Sequence, residues 1–472
     1  MPGPFPYIGG MTDFSDLLKA DNQQPGHMIQ LLDAQDHDAW MAAQPSAVRS
    51  MLTAQKFRGK PGEQAIIPGE KDGAWSVVAA VPDKAKLGPW CLARLAETLP
   101  EGRYRLAEVV PGAAAFGWLM AQYRFDRYRQ DDAALGPRVL LTSGVAQIDP
   151  MVQLARATAL VRDMVNIPAA DMGPPDLEQA VEAVAQAFGA SVTTTRGDAL
   201  ERGFPMIHAV GKAADRGFAP RLIELEWGDP AHPRLALVGK GICFDSGGLD
   251  IKPSSGMRLM KKDMGGAAHA LGLAQLIMAA RLPVRLHLLI AAAENAIGAN
   301  AFRPGDILRS RKGLSVEIGN TDAEGRLVLG DAITRAGEAR PGLVIDFATL
   351  TGSARSAVGA EIAAMFATSD DVAADLATAG DEVADAVWRM PLHSSYNYML
   401  DSKIADLVNS AASPYAGSVT AALFLQRFVE GCNWVHFDIM AFNTRNRPGH
   451  PEGGEVMGMR SVLKYLEDTY AT

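Results

Sequence analysis

Two short segments of the sequence concentrate carboxylate and basic side chains at spacings suited to metal chemistry. They lie within residues 240–263 and 320–326, and the ionisable residues that could serve this chemistry include Lys240, Asp245, Lys252, Asp263, Asp322, Glu324 and Arg326. Four carboxylates converging in one pocket would be costly unless cations neutralised them. Carboxylates shared between two divalent ions about 3.5–4 Å apart form the clamp that activates water in many hydrolases. The pattern therefore predicts hydrolysis assisted by two metal ions.

Each segment taken alone also permits a simpler interpretation. The loop from Lys240 to Leu249 is rich in glycine, and such loops after strands also form packing turns or bind phosphate, although the GxxxxGK[ST] spacing is absent. Any single aspartate could belong to a solvated acidic loop. No HExxH motif is present, and His269, on an apolar helical stretch, is expected to be a core histidine. Oxygen ligands leave Mn, Mg and Zn as alternatives.

The second segment has its charged residues at alternate positions. If Asp322, Glu324 and Arg326 lie on an extended segment, their side chains point to the same side of the chain. This geometry would direct both carboxylates towards Asp245 and Asp263.

These residues must be positioned by strands and helices that the apolar pattern predicts. Residues 234–239, 285–294 and 342–350 have the apolar runs of buried strands, and residues 267–282 have the composition of a crossover helix. Lys240 would follow the strand Leu235–Val238 directly. Sites in open α/β sheets form at the carboxyl ends of strands, which is where this loop would lie.

The chain is predicted to be an α/β protein with two domains. Strand-like runs at 75–81 and 138–145 and a helical stretch at 89–99 indicate a small N-terminal α/β domain over residues 1–148. Asp149 and Pro150 provide the start of a connecting helix over 149–166. Residues 167–472 would form a larger catalytic α/β domain with a mostly parallel central sheet.

Composition excludes several classes of protein. The 472 residues include 45 Lys and Arg against 54 Asp and Glu, a net charge of −9 that disfavours nucleic-acid binding. Three scattered cysteines give no disulfide framework and are typical of the cytoplasm. Residues 1–14 lack the pattern of a secretory signal, and no apolar run approaches the length of a membrane span. We therefore expect a soluble cytoplasmic protein.

The two segments resemble the signatures of the leucine aminopeptidase family of cytosolic metallopeptidases. The matching stretches are KGICFDSGGLDIKPSSGMRLMKKDMGGAAH at 240–269 and NTDAEGRLVLGDA at 320–332. Shorter matches are Asn166–Ala169, Arg303–Asp306, Thr349–Gly352 and Ser418–Leu425. The resemblance covers roughly residues 155–440, whereas the first 150 residues show no recognisable motif. It implies an enzyme that releases N-terminal amino acids from peptide substrates.

The resemblance also implies a role for each residue of the site. Asp245 and Glu324 would bridge two metal ions, Asp322 would complete one site, and Lys240 with Asp263 would complete the other. The ions would be Mn or Zn, with Mg or Co as alternatives. Lys252 would stay protonated and stabilise the oxyanion, and Arg326 would hold a bicarbonate ion that relays a proton.

The pocket for the N-terminal side chain is implied near Met260, Thr349, Leu350 and Gly352. Lys262, the segment His436–Asn443 with its bulky Met440 and Phe442, and Gly454–Gly458 depart from the family pattern. We expect medium aliphatic or methionine side chains to be preferred and charged ones to be poor.

The resemblance further implies a homohexamer. Some bacterial members of the family also bind DNA, so a DNA-binding accessory or regulatory role, in addition to or instead of peptidase activity, is the alternative function. Its only candidate basic clusters are the stretches 103–105 and 124–129.

Overall fold

A computed structural model describes residues 12–129 and 136–471 of the chain. Residues 1–14, which lack the sequence pattern of a secretory signal, lie mostly outside the described residues. Two compact units are present among the described residues, one within Gly10–Ala159 and Arg445–Pro451, the other within Leu160–Thr444 and Glu452–Thr472. Over 12–129 and 136–471, no helix combines the length and the apolar composition needed to cross a membrane.

The smaller unit is built on a six-stranded sheet. Its strands are β1 Leu18–Ala20, β2 His27–Leu32, β3 Gln64–Pro68, β4 Trp75–Ala80, β5 Gly102–Leu106 and β6 Arg138–Thr142. Their order in the sheet is β1-β6-β5-β2-β4-β3, and all neighbouring pairs are parallel except β3 with β4. Its helices are α1 His37–Ala43, α2 Ser46–Ala54, α3 Ala93–Thr98 and α4 Ala114–Met120. The next helix, α5, spans Ile148–Asn166, and Val152, Ala155 and Ala159 on it belong to the core of this unit.

The larger unit is built on an eight-stranded sheet. The strands are β7 Ser191–Arg196, β8 Arg221–Trp227, β9 Arg234–Asp245, β10 Arg285–Asn295, β13 Leu343–Ala348, β14 Ala363–Ala367, β15 Val387–Arg389 and β17 Asn433–Asp438. Their order in the sheet is β15-β14-β17-β13-β9-β10-β8-β7, and the four central strands, from β17 to β10, are mutually parallel. The predicted α/β fold, with a small N-terminal domain and a larger C-terminal domain that has a mostly parallel central sheet, is confirmed.

Helices and minor strands complete this unit. The helices are α6 Pro174–Phe188, α7 Gly197–Gly203, α8 Pro205–Gly211, α9 Ser254–Met257, α10 Gly265–Ala279, α11 Gly325–Glu338, α12 Gly352–Val358, α13 Asp370–Glu382, α14 Gly417–Gln426 and α15 Met459–Tyr470. The short strands are β11 Ile307–Arg309, β12 Ser315–Glu317, β16 Leu407–Val408, β18 Phe442–Asn443 and β19 Gly453–Gly454.

Glycines bring α10 close to the central strands. A Cβ added at Gly239 of β9 would lie 2.6 Å from Ala267 Cα, and one added at Gly266 would lie 2.1 Å from Phe347 O of β13. Helix and sheet therefore pack backbone against backbone, which a larger residue at either position would prevent. This packing fixes the 3-10 turn Met260–Met264, which leads directly into α10, against the ends of the central strands.

Candidate active site

The site lies where the four central parallel strands end. Asp245 is the last residue of β9, Asn295 ends β10, Asp438 ends β17, and Thr349 follows β13. Because the carboxyl ends of neighbouring parallel strands meet at one edge of a sheet, these four polar residues are brought together by topology. Polar side chains therefore gather at the strand ends, where the sequence analysis expected the chemistry.

Lys240 lies inside a strand rather than in the loop that the sequence suggested. Strand β9 continues to Asp245 because it pairs with the long strand β10, with Lys240 opposite Ala291 and Asp245 opposite Asn295. The Lys240 ammonium is 2.7 Å from Oδ2 of Asp263 and 2.9 Å from Oε1 of Glu324. Lys240 is buried and is held between carboxylates from two different elements.

The segment that carries Asp322 and Glu324 is the start of a helix, so the expectation of an extended segment is wrong. Asn320 Oδ1 accepts a hydrogen bond from the Asp322 N–H, and α11 begins at Gly325, directly after Glu324. The two carboxylates nevertheless converge, because the turn before the helix directs both towards Asp245. One carboxylate oxygen from each of Asp245, Asp322 and Glu324 lies within 4.8 Å of the other two.

Lys252 lies between the other pair of carboxylates. Its ammonium is 2.8 Å from Oδ2 of Asp245 and 2.5 Å from Oδ1 of Asp322. Burial opposes protonation of this amine, but the adjoining carboxylates of Asp245 and Asp322 raise the pKa of Lys252 above its usual value. Its side chain is 15% exposed, compared with 3% for Lys240, so it is the lysine with access to solvent.

The electrostatics of the cluster favour additional positive charge. Burial and the charge of Asp245 raise the pKa of Glu324 to about 8 and that of Asp322 to about 6. Oδ2 of Asp263, Oδ1 of Asp322 and Oε1 of Glu324 are buried and accept no hydrogen bond within the described residues, although each faces a lysine ammonium. Four carboxylates and two lysines form an oxygen-rich set that fits hard divalent cations.

Arg326 reaches the same region from the first turn of α11. Its Nη1 donates a 2.7 Å hydrogen bond to Asn409 O, while its buried Nε has no hydrogen-bond partner among the described residues. Burial lowers the pKa of Arg326 to about 10, against the opposing effect of Glu324 and Asp438. The guanidinium remains protonated at neutral pH and has donor capacity left for an oxyanion.

Supporting residues that the sequence did not single out hold the charged ones in place. Asn295 Nδ2 donates to Asp245 Oδ1 at 2.8 Å and to Thr321 O at 3.1 Å. The Thr321 hydroxyl donates to Gly247 O at 2.6 Å, which ties the two signature segments together. Asp438 Oδ1 accepts the N–H groups of Leu350 and Thr351. Asn295 directly follows the predicted strand 285–294, which was the available signal for it, whereas no strand was predicted before Asp438.

The residues proposed to contact substrate lie on two adjoining segments. Met260 begins the 3-10 turn that contains Asp263, and Thr349, Leu350 and Gly352 follow β13. The Thr349 hydroxyl joins the segments by donating to Oδ1 of Asp263 at 2.7 Å.

Two of the departures from the family pattern lie beside these segments. Ala441 of the segment His436–Asn443 lies near Thr349, because a Cβ built at Gly265 would lie 2.4 Å from Ala441 Cβ and 3.3 Å from Thr349 Cγ2. Lys262 is buried, its Nζ is 3.9 Å from Asp263 Oδ1, and burial lowers the pKa of Lys262 to about 8.

Comparison with known proteins extends this description to the whole chain. The model of the cytosol aminopeptidase family, catalytic domain, matches residues 159–463, and that of the M17 aminopeptidase, N-terminal domain, matches residues 28–140. The second match gives an assignment to the N-terminal region, in which the sequence alone offered no recognisable motif. A probable cytosol aminopeptidase of Syntrophotalea carbinolica is 41% identical over 368 residues, which cover 74% of this chain and 73% of the relative.

Solved structures agree with these relatives. The crystal structure of the cytosol aminopeptidase of Coxiella burnetii superimposes with a TM-score of 0.90 at 43% identity, covering 96% of this chain and 100% of that one. The bottromycin maturation enzyme BotP in complex with Mn gives a TM-score of 0.84 at 30% identity, covering 94% and 100%. The resemblance inferred from the two signature segments is confirmed: the chain belongs to the cytosol aminopeptidase family and is a peptidase.

Proposed function

We propose that this aminopeptidase depends on two divalent metal ions and releases single N-terminal residues from peptides. The observation that carries the proposal is the convergence of Asp245, Asp322 and Glu324 within 4.8 Å, beside the pair formed by Lys240 and Asp263. A cluster of this kind stabilises divalent cations, and it lies at the sheet edge where α/β enzymes bind ligands.

The proposed ligands are the five residues implied by the family resemblance. Asp245 and Glu324 would be shared between the ions, Asp322 would serve one ion, and Lys240 with Asp263 would serve the other. Ligation by Lys240 requires the neutral amine, so metal binding must displace its proton. We expect Mn or Zn, with Mg or Co as alternatives, and the Mn named for BotP supports this choice. Bound ions would polarise the scissile carbonyl, lower the pKa of a water molecule and hold the free amino terminus.

Lys252 and Arg326 supply the remaining chemistry. Lys252 is a protonated donor with access to solvent, so it can donate a hydrogen bond to the carbonyl oxygen of the substrate as negative charge develops there. Arg326 has no acceptor and cannot act as a base, but its buried Nε without a partner suits a bound oxyanion such as bicarbonate. Such an ion could accept a proton from water.

The pocket for the N-terminal side chain would be lined by Met260, Thr349, Leu350 and Gly352. Met260 is 8% exposed, and the thioether and neighbouring aliphatic groups provide an apolar wall. A fitted methylene is worth about 1–3 kcal/mol, so Leu or Met should be preferred to Gly by tens-fold or more.

One experiment tests activity, metal and specificity together. The chelated enzyme is reloaded with Mn, Zn, Mg or Co, and steady-state rates are measured with aminoacyl-coumarin substrates that differ in the N-terminal residue. The proposal expects no activity without metal and recovery with at least one ion. Full activity in a sample shown by elemental analysis to be free of metal would exclude it.

We further infer a homohexamer in the cytoplasm, from the family resemblance and the free cysteines. Sedimentation that shows only monomer at micromolar concentration would contradict the assembly. No observation favours the DNA-binding alternative. Arg105 in one of its two basic stretches is paired with Asp21 at 3.3 Å, which removes part of the required positive surface.

A further inference from the structure

A cavity lies at the edge of the large sheet opposite the proposed active site. It has a volume of about 460 Å³ and is lined by the last residues of α6, the turn after β8 and the end of α10. Trp227 ends β8 and pairs with Leu286, close to the start of β10, whereas the active-site residues lie where β9 and β10 end. The cavity is therefore separate from the active site and takes no part in the proposed mechanism.

Much of the lining of this cavity is apolar or aromatic. These side chains are Phe188, Trp227, Met278 and Leu282. Met278 and Leu282 are buried, whereas Phe188 and Trp227 are half-buried, which leaves aromatic surface open. A volume of this size with an apolar lining and a few polar groups is typical of sites that bind small molecules.

The polar groups of the lining have opposite charges and lack partners. Arg281 makes no ion pair and no side-chain hydrogen bond among the described residues. Asp229 accepts the Ala231 N–H at 2.8 Å through Oδ1 but has no cationic partner in the described part of the chain. His232 Nδ1 is buried and has no hydrogen-bond partner there either. The cavity thus offers a cation, an anion and an imidazole nitrogen to a ligand.

Arg281 occupies a backbone position at which helices usually end on glycine. The Leu282 N–H bonds to Ile277 O and the Arg281 N–H to Met278 O, both at 3.1 Å, and Arg281 has a φ of 51°. This left-handed conformation favours glycine, because a side chain makes it strained. Strained residues of this kind are concentrated at functional sites. The strain therefore indicates that the guanidinium at the cavity has a role.

We propose that this cavity binds an apolar amino-acid zwitterion, the chemistry shared by a released amino acid such as Leu and by a short peptide. Arg281 binds the carboxylate, Asp229 binds the ammonium, and Trp227 and Met278 contact the side chain. His232 Nδ1 accepts a hydrogen bond from the ammonium or donates one to the carboxylate, according to its tautomer. The inference goes beyond the proposed function, because such binding needs neither metal ions nor catalysis.

The balance of charge favours this class over other small ligands. A phosphate or another anion would pair with Arg281 but would also face Asp229 and the C-terminal ends of α6 and α10, which carry partial negative charge. A simple cation would meet the like charge of Arg281. A ligand that carries both charges on an apolar body gives Asp229 and Arg281 the partners they lack and contacts the apolar lining.

The test measures binding of Leu by isothermal titration to the Asp322→Ala variant in the presence of Mn, in which loss of a proposed metal ligand suppresses binding at the active site. Two further changes are made in this background. Arg281→Gln removes the positive charge, and Asp229→Asn removes the negative charge but keeps Oδ1 for the Ala231 N–H.

Matched controls and a ligand series complete the design. Arg202→Gln and Asp198→Asn make the same charge changes in an exposed pair of α7 whose charged atoms are 3.9 Å apart. The series is N-acetyl-Leu, which lacks the ammonium, leucinamide, which lacks the carboxylate, and Gly, which lacks the side chain. The dipeptide Leu-Leu is compared with Leu, and the tighter of the two identifies peptide or released amino acid as the ligand.

We expect one saturable site per chain for Leu or Leu-Leu, with a Kd below about 1 mM. Loss of either charge, on the protein or on the ligand, should weaken binding by about 10- to 100-fold, the range for one hydrogen bond to a charged group. Gly should bind at least about 10-fold more weakly than Leu, because it buries no apolar side chain. The controls on α7 should leave the Kd unchanged.

Two results would overturn the inference. One is the absence of saturable binding below about 1 mM by both Leu and Leu-Leu, and the other is a Kd that Arg281→Gln and Asp229→Asn leave unchanged. The ligand series uses the intact cavity, so it decides the matter even if a cavity variant misfolds. The proposed function is judged separately, by the activity of the reloaded wild-type enzyme, which this titration does not measure.

Discussion

The two lysines of the site have different surroundings that suit different tasks. Lys240 projects from β9 between Asp263 and Glu324 and has a side chain only 3% exposed. Lys252 comes from the loop after β9, contacts Asp245 and Asp322, and has a side chain 15% exposed. A ligand must be rigid and shielded, whereas an electrophile must reach the substrate. Burial therefore distinguishes the roles proposed for two residues that have the same side chain.

Replacement of Lys252 by alanine should impair catalysis without releasing metal. The ammonium would be lost while every proposed ligand remains, so kcat should fall by roughly 10²–10³, the range for one oxyanion-stabilising donor. Stopped assays together with elemental analysis of the Mn-loaded protein measure both quantities. Lys464→Ala on α15 is the control. An unchanged kcat would rule out the role assigned to Lys252.

Sequence reasoning identified the charged residues of the site but not the neutral ones that orient them. Asp245, Asp263, Asp322 and Glu324 were identified because clustered carboxylates need a physical explanation. Asn295, Thr321 and Asn409 carry no charge and lie far from the signature segments or inside them as apparent spacers. Their contribution depends on hydrogen bonds between loops, and such contacts cannot be predicted from spacing along one chain.

At the scale of elements, the start of α11 positions Lys240 through a glycine. A Cβ at Gly325 would lie 2.7 Å from both Nζ and Cε of Lys240, closer than van der Waals contact permits. Gly325→Ala should displace the Lys240 amine and weaken metal binding by about 10- to 100-fold, as loss of a supporting contact does. Alanine is a better helix former than glycine, so the free energy of unfolding of the metal-free variant should not fall along with its affinity for metal.

Gly337→Ala in the same helix is the control for this prediction. A Cβ there would have its nearest neighbour at 3.8 Å, an ordinary contact. Isothermal titration with Mn compares the two variants with the wild type. Equal affinities in all three would show that Lys240 does not need the space left by Gly325.

Helix α10 contains a histidine that we expect to make the larger unit sensitive to acid. His269 Nδ1 is 2.6 Å from Gly265 O, and Nε2 accepts the Met457 N–H at 3.0 Å, which fixes the neutral form. This geometry agrees with the prediction of a core histidine. Burial lowers the pKa of His269 to about 4, against the opposing hydrogen bond to Gly265.

The consequence is a loss of stability at low pH. An unfolded histidine has a pKa near 6.5, so between about pH 6.5 and pH 4 the unfolded state binds the additional proton. Neutral His269 contributes about 3 kcal/mol to the free energy of unfolding above that range, and this contribution is lost as the pH falls through it. Urea unfolding at pH 7.5 and 4.5 should show a smaller drop for His269→Gln than for wild type. The exposed His393→Gln is the control, and an equal drop in His269→Gln would contradict the assignment.

The elements themselves were predicted well where apolar runs are long. The helix at α10 and the strands β10 and β13 appeared as expected, because each is buried on both sides and leaves a continuous apolar run. The extent of β9 and the start of α11 were not predicted. Lys240, Asp245 and Glu324 are polar residues that are nevertheless buried, whereas polar residues in a sequence suggest that an element has ended.

At the scale of the whole molecule, the site is built on a core that does not require metal for its packing. The larger unit buries a continuous apolar cluster that includes Val238, Leu289, Leu327, Val344 and Trp434, from four strands and a helix. The proposed ligands lie on β9, on the turn before α10 and directly before α11. The stability of the unit is therefore expected to come mainly from apolar burial, with the proposed ions contributing at one edge.

Removal of metal should abolish activity while the fold persists. Within the site, Lys240 and Lys252 already pair with the four carboxylates, so the charge cluster remains partly neutralised when ions leave. Chelation should leave the far-UV circular dichroism unchanged and reduce the rate on Leu-coumarin to background, with recovery on addition of Mn or Zn. The Asp322→Ala variant should bind metal more than about 100-fold more weakly than the wild type, a larger loss than removal of a supporting partner causes. Its activity should not recover when metal is added. Asp468→Ala on α15 is the matched control. A chelated protein that unfolds would show that the ions hold the strand ends together, and the apolar core would then be insufficient by itself.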